Sequence, residues 1–374
     1  MQHGTVIARH YATRESVQVR WQDGLITTIE PAPAPANDEL WIAPALVDLQ
    51  INGYAGVDFQ SENLSVEELI RAVRELRAAG CTRFFFTLIT DHWPKLLERF
   101  QRACALREQS RELQDAIAGW HIEGPFLSPV PGFCGAHNPA CMIDPRLAHV
   151  KELRAMAGSD PMLITVAPER SGAIAAIATA VSLGITVSLG HTNASAEVLR
   201  EAVQSGATGF THLANGCPKD LDRHDNILWR VFETPGLTVS LIPDRIHVSP
   251  MLFRLVHRVL KPEAIYYTTD AMSAAGAPPG RYHIGQLELE VGADQIVRLP
   301  GKPNFAGSAL RPIEGVFRAA QMLDRPWQEV WDALSTRPAQ FMKLPASLAV
   351  GQPAHFCLVR ARQDELVEVK TLKT

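Results

Sequence analysis

At 374 residues the chain exceeds one ordinary compact domain and can bury a large core, so one large unit plus a small one is the simplest division. Its 36 basic and 40 acidic residues leave a net charge of −4, which offers no field for nucleic acid or an anionic membrane. Six widely spaced cysteines match neither a zinc-finger nor a thioredoxin pattern, no apolar run reaches the ~18 residues of a membrane span, and the amino-terminal residues open no signal segment. A soluble, cytoplasmic protein with reduced thiols is expected.

Residues 4–30 alternate in short β-like pieces with a turn at Asp23-Gly24, and the proline–alanine run from Pro31 to Ala36 reads as a stiff connector. From Trp41 onward the pattern changes. Short apolar runs rich in β-branched and aromatic residues alternate with helical segments such as Val66 to Ala79 and Ser195 to Gln204. Eight strands are expected, near 43–51, 82–89, 116–123, 162–167, 185–190, 208–213, 236–241 and 265–269, with Phe84, Phe85 and Phe86 as strand core. This spacing predicts a closed (β/α)8 TIM-type barrel. An open doubly wound sheet is the alternative, but no glycine-rich dinucleotide fingerprint follows the first strand.

Arg281 to Leu299 alternates like an inserted hairpin, and helical stretches follow around 314–322 and 327–335. The final thirty residues are again β-like, with a turn at Gly351-Gln352-Pro353. Neither β-rich end has strands enough to be stable alone, so the two are expected to pair as one small β-sandwich domain. The expected division is 1–43 with 344–374 for that domain, and 44–343 for the barrel.

The chemistry of such a barrel sits at the carboxyl ends of its strands. Glu123, His191, His212 and Asp270 fall there, on strands three, five, six and eight. One carboxylate and two imidazoles form a hydrolytic metal set that leaves a position open for water. Asp270 adds a carboxylate that can move a proton. A lone histidine at a strand end is ordinarily structural; four chemically matched strand ends point to a metal-dependent hydrolase. His121 shares the face of Glu123 and either orients it or is an ordinary hydrogen-bonded barrel residue. Cys217 lies five positions beyond His212, too far along to be expected as a ligand. His224, His257, His283 and His355 are assigned surface or structural roles.

Several segments resemble the N-acetylglucosamine-6-phosphate deacetylases, a family of the amidohydrolase superfamily. They are Pro44 to Gly53, His121-Ile122-Glu123-Gly124-Pro125, Gly135-Ala136-His137-Asn138-Pro139, Ala167-Pro168-Glu169 and Gly190 to Ala194, followed by Thr211 to Gly216, Thr269-Asp270-Ala271-Met272 and Ala306-Gly307-Ser308. They occur in family order and span most of the chain. The resemblance implies Glu123, His191 and His212 as metal ligands and Asp270 as the general base, then acid. It implies His137 as the group that polarises the acetyl carbonyl. It also implies Asn215, Gly216, Arg223 and His247 as contacts to a sugar phosphate, partly across the interface of a homodimer.

Many amidohydrolases carry His-x-His on strand one, where this chain has Gln50 and Asn52. Neutral amides are weaker zinc ligands than imidazole. One divalent ion is therefore expected, zinc by preference and iron, cobalt or manganese as alternatives. Gln50 would then touch water or a ligand residue rather than the ion, unless it only fills the barrel mouth.

Two segments depart from the family pattern. Lys219 to Asp225 carries three acids beside its bases, and Pro243-Asp244-Arg245-Ile246-His247 replaces the usual Ala-Asp-Gly-x-His. Arg245 is expected to pair with Asp244, with a contact to the phosphate as the alternative. The expected reaction is hydrolysis of the acetamide of N-acetyl-D-glucosamine 6-phosphate by metal-activated water. Alternatives are another N-acyl amino sugar such as N-acetylgalactosamine 6-phosphate, a cyclic-amide substrate, or an inactive sugar-phosphate sensor. An intact proton-moving residue argues against the last.

Overall fold

The computed structural model describes residues 3–35, 39–300, 306–362 and 364–372; Met1, Gln2 and Ala36 of the connector lie outside them. Eight parallel strands follow one another in chain order: Leu46–Ile51, Cys81–Ile89, Ile117–Glu123, Met162–Val166, Thr186–Leu189, Gly209–Phe210, Thr238–Leu241 and Ile265–Tyr267. They read as continuous apolar runs because both faces are covered; Phe84, Phe85 and Phe86 are all buried. The helices show why. In Val66–Ala78, Leu69, Ala72, Val73 and Leu76 face the sheet, and Ser65 and Glu68 form a capping box at its start.

Strands one and eight share only an isolated bridge, Ile51 to Ala271. The seam is closed instead by a buried carboxylate. Asp48 accepts from Thr268 Oγ1 (2.5 Å), Thr269 N (2.9 Å) and Thr269 Oγ1 (2.7 Å). The barrel is thus cyclic in effect, although one of its ladders is made by side chains.

The expected first strand, 43–51, is two strands. Leu40–Pro44 leaves the barrel and pairs antiparallel with Phe356–Arg362 and parallel with His3–His10. Ala45 is the hinge between the sheets. The two chain ends do join, in a single six-stranded sheet ordered Glu365–Leu372, Phe356–Arg362, Leu40–Pro44, His3–His10, Ser16–Gln22, Leu25–Pro31. That sheet curls on itself. Leu25 bridges to Pro353, and the Trp21 and Phe356 rings meet edge to face at 5.3 Å although their strands are not neighbours. The enclosed core holds Ala8, Val19, Ile26, Ile42 and Phe356.

The insertion is three strands rather than a hairpin: Gly280–Ile284, Leu287–Val291 and Val297–Arg298. Its apolar side packs Ile284, Leu289 and Val297 on Met272, Ala274 and Ala309, bracing the loop that carries Asp270. Helix Pro312–Leu323 follows. No described helix is long and apolar enough to cross a membrane.

His257, on helix Pro250–Val259, ties strand eight to the helical layer. Its Nδ1 donates to the Phe253 carbonyl (2.8 Å), so Nε2 accepts from the Tyr267 hydroxyl (2.8 Å). Both contacts suit the neutral ring, and burial pushes its pKa down to about 4. The unfolded chain, with an ordinary histidine, binds the extra proton between about pH 6.5 and 4. This contribution is therefore complete above pH 6.5 and is lost as pH falls toward 4. The loss is expected to be no more than about 3 kcal/mol, since the ring keeps some solvent contact. Urea midpoints measured from pH 7 to 4 should fall less steeply for His257→Gln than for the parent chain.

Candidate active site

Glu123 ends strand three and is buried at the barrel mouth. Three imidazoles surround it. His212 Nε2 lies 2.8 Å and His191 Nε2 3.4 Å from Oε1, and His137 Nε2 lies 3.8 Å from Oε2. Burial opposes charge on Glu123, but the adjoining His191 and His212 rings outweigh it and hold the carboxyl well below its usual range. His137 sits on the loop after strand three, and burial together with the neighbouring His191 pushes it down to about 3, a neutral ring.

His191 is oriented from behind. Its Nδ1 is 2.9 Å from the Phe133 carbonyl, which only accepts, so the proton is on Nδ1 and the Nε2 lone pair faces Glu123. This is the tautomer a metal ligand needs. Two glycines press on the ring. A Cβ on Gly216 would stand 2.7 Å from His191 Nδ1, and one on Gly135 2.8 Å from Cε1. Both have positive φ as well, 59° and 58°.

Ligand atoms of Glu123, His191 and His212 all lie within 4.8 Å of one another, the one such cluster among the described residues. His212 Nδ1 and His137 Nδ1 are buried without hydrogen-bond partners. The bare Nε2 of His191 and the Nε2 of His212, converging on one buried carboxylate, fit a divalent ion that takes nitrogen and oxygen ligands, such as zinc. His121 belongs to the floor below. Its Nε2 pairs with Thr165 Oγ1 (2.8 Å), and the chain continues through Thr211 to Ser188. It is a hydrogen-bonded barrel histidine.

Asp270 stands just past strand eight. Its Oδ1 accepts from Gln50 Nε2 (3.0 Å) and Asn52 Nδ2 (2.7 Å). Enclosure and the Glu123 charge push its pKa up to about 7, against the pull of His212, His247 and Asn52. His191, His212 and Asp270 all have left-handed backbones, with φ of 50°, 30° and 51°. Such strain in side-chain-bearing residues persists only where surroundings enforce it.

Known proteins resemble this chain in sequence and in fold. No protein-family model matches the chain. An N-acetylglucosamine-6-phosphate deacetylase of Danio rerio is 33% identical over 341 residues, covering 88% of this chain and 82% of the relative. This chain belongs to the N-acetylglucosamine-6-phosphate deacetylase family. An N-acetylgalactosamine-6-phosphate deacetylase of Escherichia coli O157:H7 is 28% identical, over 90% of this chain and 88% of the relative. The solved structure of a mutant N-acetyl-D-glucosamine-6-phosphate deacetylase from Mycobacterium smegmatis, in complex with N-acetyl-D-glucosamine 6-phosphate, matches with a TM-score of 0.86 and 28% identity, over the whole of both chains.

The residues expected to hold a sugar phosphate in this deacetylase-family chain are less uniform. Asn215 is tied to the His212 carbonyl through its own N (2.9 Å) and Nδ2 (3.2 Å). Gly216 is needed against His191. His247 Nδ1 pairs with Asp244 Oδ2 (2.6 Å), and the ring is close enough to Asp270 to lower its pKa. Arg223 lies on an exposed loop with Nε 3.0 Å from His224 Nε2. Arg245 does not pair with Asp244, because His247 and the Ile246 and His247 amides already occupy that carboxylate. It turns outward with φ of 70° and reaches Gln321 Oε1 (2.5 Å).

Asp48 joins the site unannounced by any motif, and Asn52 does more there than stand in for a missing imidazole. Their signal was present: Asp48, Gln50 and Asn52 are two apart and share one strand face. Glu169 also clamps the His191 loop, accepting from Thr192 Oγ1 and from Asn193 N (2.9 Å). Gly216→Ala should displace the His191 ring and weaken metal retention by about 10- to 100-fold. Competition against a chelator, with the melting temperature as a folding control, measures it.

Proposed function

We propose that this chain hydrolyses the acetamide of N-acetyl-D-glucosamine 6-phosphate to acetate and glucosamine 6-phosphate, using Glu123, His191 and His212 to hold one divalent ion. The observation that carries the mechanism is Asp270. A carboxyl poised near pH 7 beside the ligand cluster can take a proton and return it within one turnover.

When bound, a divalent ion lowers the pKa of water to near 7 and polarises a carbonyl. The remaining work belongs to the chain. Asp270 accepts the proton of the attacking water and then gives a proton to the departing amine, so that glucosamine 6-phosphate leaves neutral at nitrogen. His137, kept neutral by burial, donates an N–H to the oxygen that gains charge as the tetrahedral centre forms. His247 offers its outer face to the phosphate while Asp244 fixes its inner nitrogen. Arg223, exposed and bonded to His224, suits a contact to the neighbouring site of a homodimer. Zinc is the ion we assign, with iron, cobalt or manganese as alternatives. The cytoplasm is the compartment we assign, since six unpaired cysteines suit a reducing environment.

A second reading, the same reaction on N-acetylgalactosamine 6-phosphate, is favoured by the Escherichia coli relative named for that substrate. The test is acetate release by metal-reconstituted enzyme from both N-acetyl hexosamines, with and without the 6-phosphate. The gluco phosphate should be fastest and the unphosphorylated sugars slowest; a faster galacto substrate transfers the assignment. Asp270→Asn should lower kcat by about 10²- to 10⁴-fold while one equivalent of metal is retained.

A further inference from the structure

We infer that the inward face of strand one is the positioning device for Asp270, and that it leaves a single carboxylate oxygen, Oδ2, to carry the proton. The inference rests on the proton-transfer role proposed above for Asp270, and it concerns Asp48, Gln50 and Asn52.

These three residues alternate along Leu46–Ile51 and just beyond it, so their side chains leave the strand on the same side. All are buried, with exposures of 0%, 2% and 1%. Each contacts the end of strand eight, some 220 positions away in sequence. Asp48 holds Thr268 and Thr269, the two residues before Asp270. Gln50 and Asn52 hold the Asp270 side chain itself, and Asn52 N donates to the Ala271 carbonyl (2.7 Å). The backbone on both sides of Asp270 and one oxygen of its carboxylate are therefore referenced to a single strand. Across this seam the backbone ladder provides only the bridge from Ile51 to Ala271.

The donors decide which oxygen works. Asp270 Oδ1 receives two amide N–H groups, and a proton on Oδ1 would point at groups that can only donate. Among the described residues no donor is bonded to Oδ2. The proton taken from water thus goes to Oδ2, and the same oxygen returns it to the amine. Asn52 pays for this arrangement with its own carbonyl oxygen, Oδ1, which is buried without a partner. A residue serving only to fill the barrel mouth would have no reason to turn its amide that way. The amides also account for the missing His-x-His: the same two positions on strand one act on the carboxylate.

The test uses the metal-loaded full chain and N-acetyl-D-glucosamine 6-phosphate. Asn52→Leu and Gln50→Met remove the donors with little change of volume. Each should lower kcat by about 10- to 100-fold, as expected when a reacting group loses its alignment, with KM within about twofold and metal content unchanged. Asn52→Asp keeps the shape and deletes the donor, so it should be no better than Asn52→Leu; normal turnover from it overturns the inference. In an Asp270→Asn background the strand-one substitutions should cost nothing further, because the group they position is gone. Losses that add in full in that background show that Gln50 and Asn52 act elsewhere, and also overturn it. Asp270→Asn alone separates the two levels. If that variant turns over normally, the proton-transfer role itself fails; if it is inactive while Asn52→Leu and Gln50→Met are normal, only the positioning inference fails.

Discussion

A carboxylate enclosed at the centre of a barrel mouth, Glu123, sets the terms for everything around it. An ionised group so far from water costs several kcal/mol unless it is paired. Three imidazoles from different loops surround it, His212 the nearest, and the Phe133 carbonyl fixes the proton of His191 on its far nitrogen. The charge also reaches Asp270, whose acidity is weakened enough for it to act near neutral pH. In the proposed mechanism, metal affinity and proton transfer are thus coupled through one buried negative charge.

Holding that cluster requires backbone that the chain would not adopt unaided. His191, His212 and Asp270 occupy left-handed conformations, each costing about 1–3 kcal/mol. The surroundings answer with specific restraints. Glu169 grips the two residues after His191, Ser240 Oγ accepts from His212 N (2.7 Å), and the three-stranded insertion packs under the Asp270 loop. The barrel wall is repetitive and the mouth is bespoke.

What the sequence makes legible follows from range. Glu123, His191, His212 and Asp270 can be placed because each ends an apolar run, a local signal. The break at Ala45 is invisible because residues on either side are equally apolar, one set for the terminal sheet and one for the barrel. The partner of Arg245 is illegible for another reason: Gln321 lies on a helix 76 positions away, while the adjacent Asp244 looks like the natural mate. Gly216 carries a mixed signal. The family resemblance points to a substrate contact, and the structure adds a steric demand from the His191 ring that would require glycine there in any case. Hydrogen bonds from strand one to Asp270 needed the barrel to close before they could be seen.

The terminal sheet has a consequence for how such a chain is made. Its central strand, Leu40–Pro44, is synthesised early, yet its antiparallel neighbour is Phe356–Arg362, with Trp41 opposite Val359. On a ribosome the early strand emerges long before that neighbour exists, and it leads through Ala45 directly into the first barrel strand. One edge of the nascent sheet therefore stays open, presenting unpaired amides and carbonyls while the whole barrel is being translated. Closure of this sheet belongs to the end of synthesis, a late, long-range event in a molecule whose barrel strands pair mostly with their neighbours in sequence.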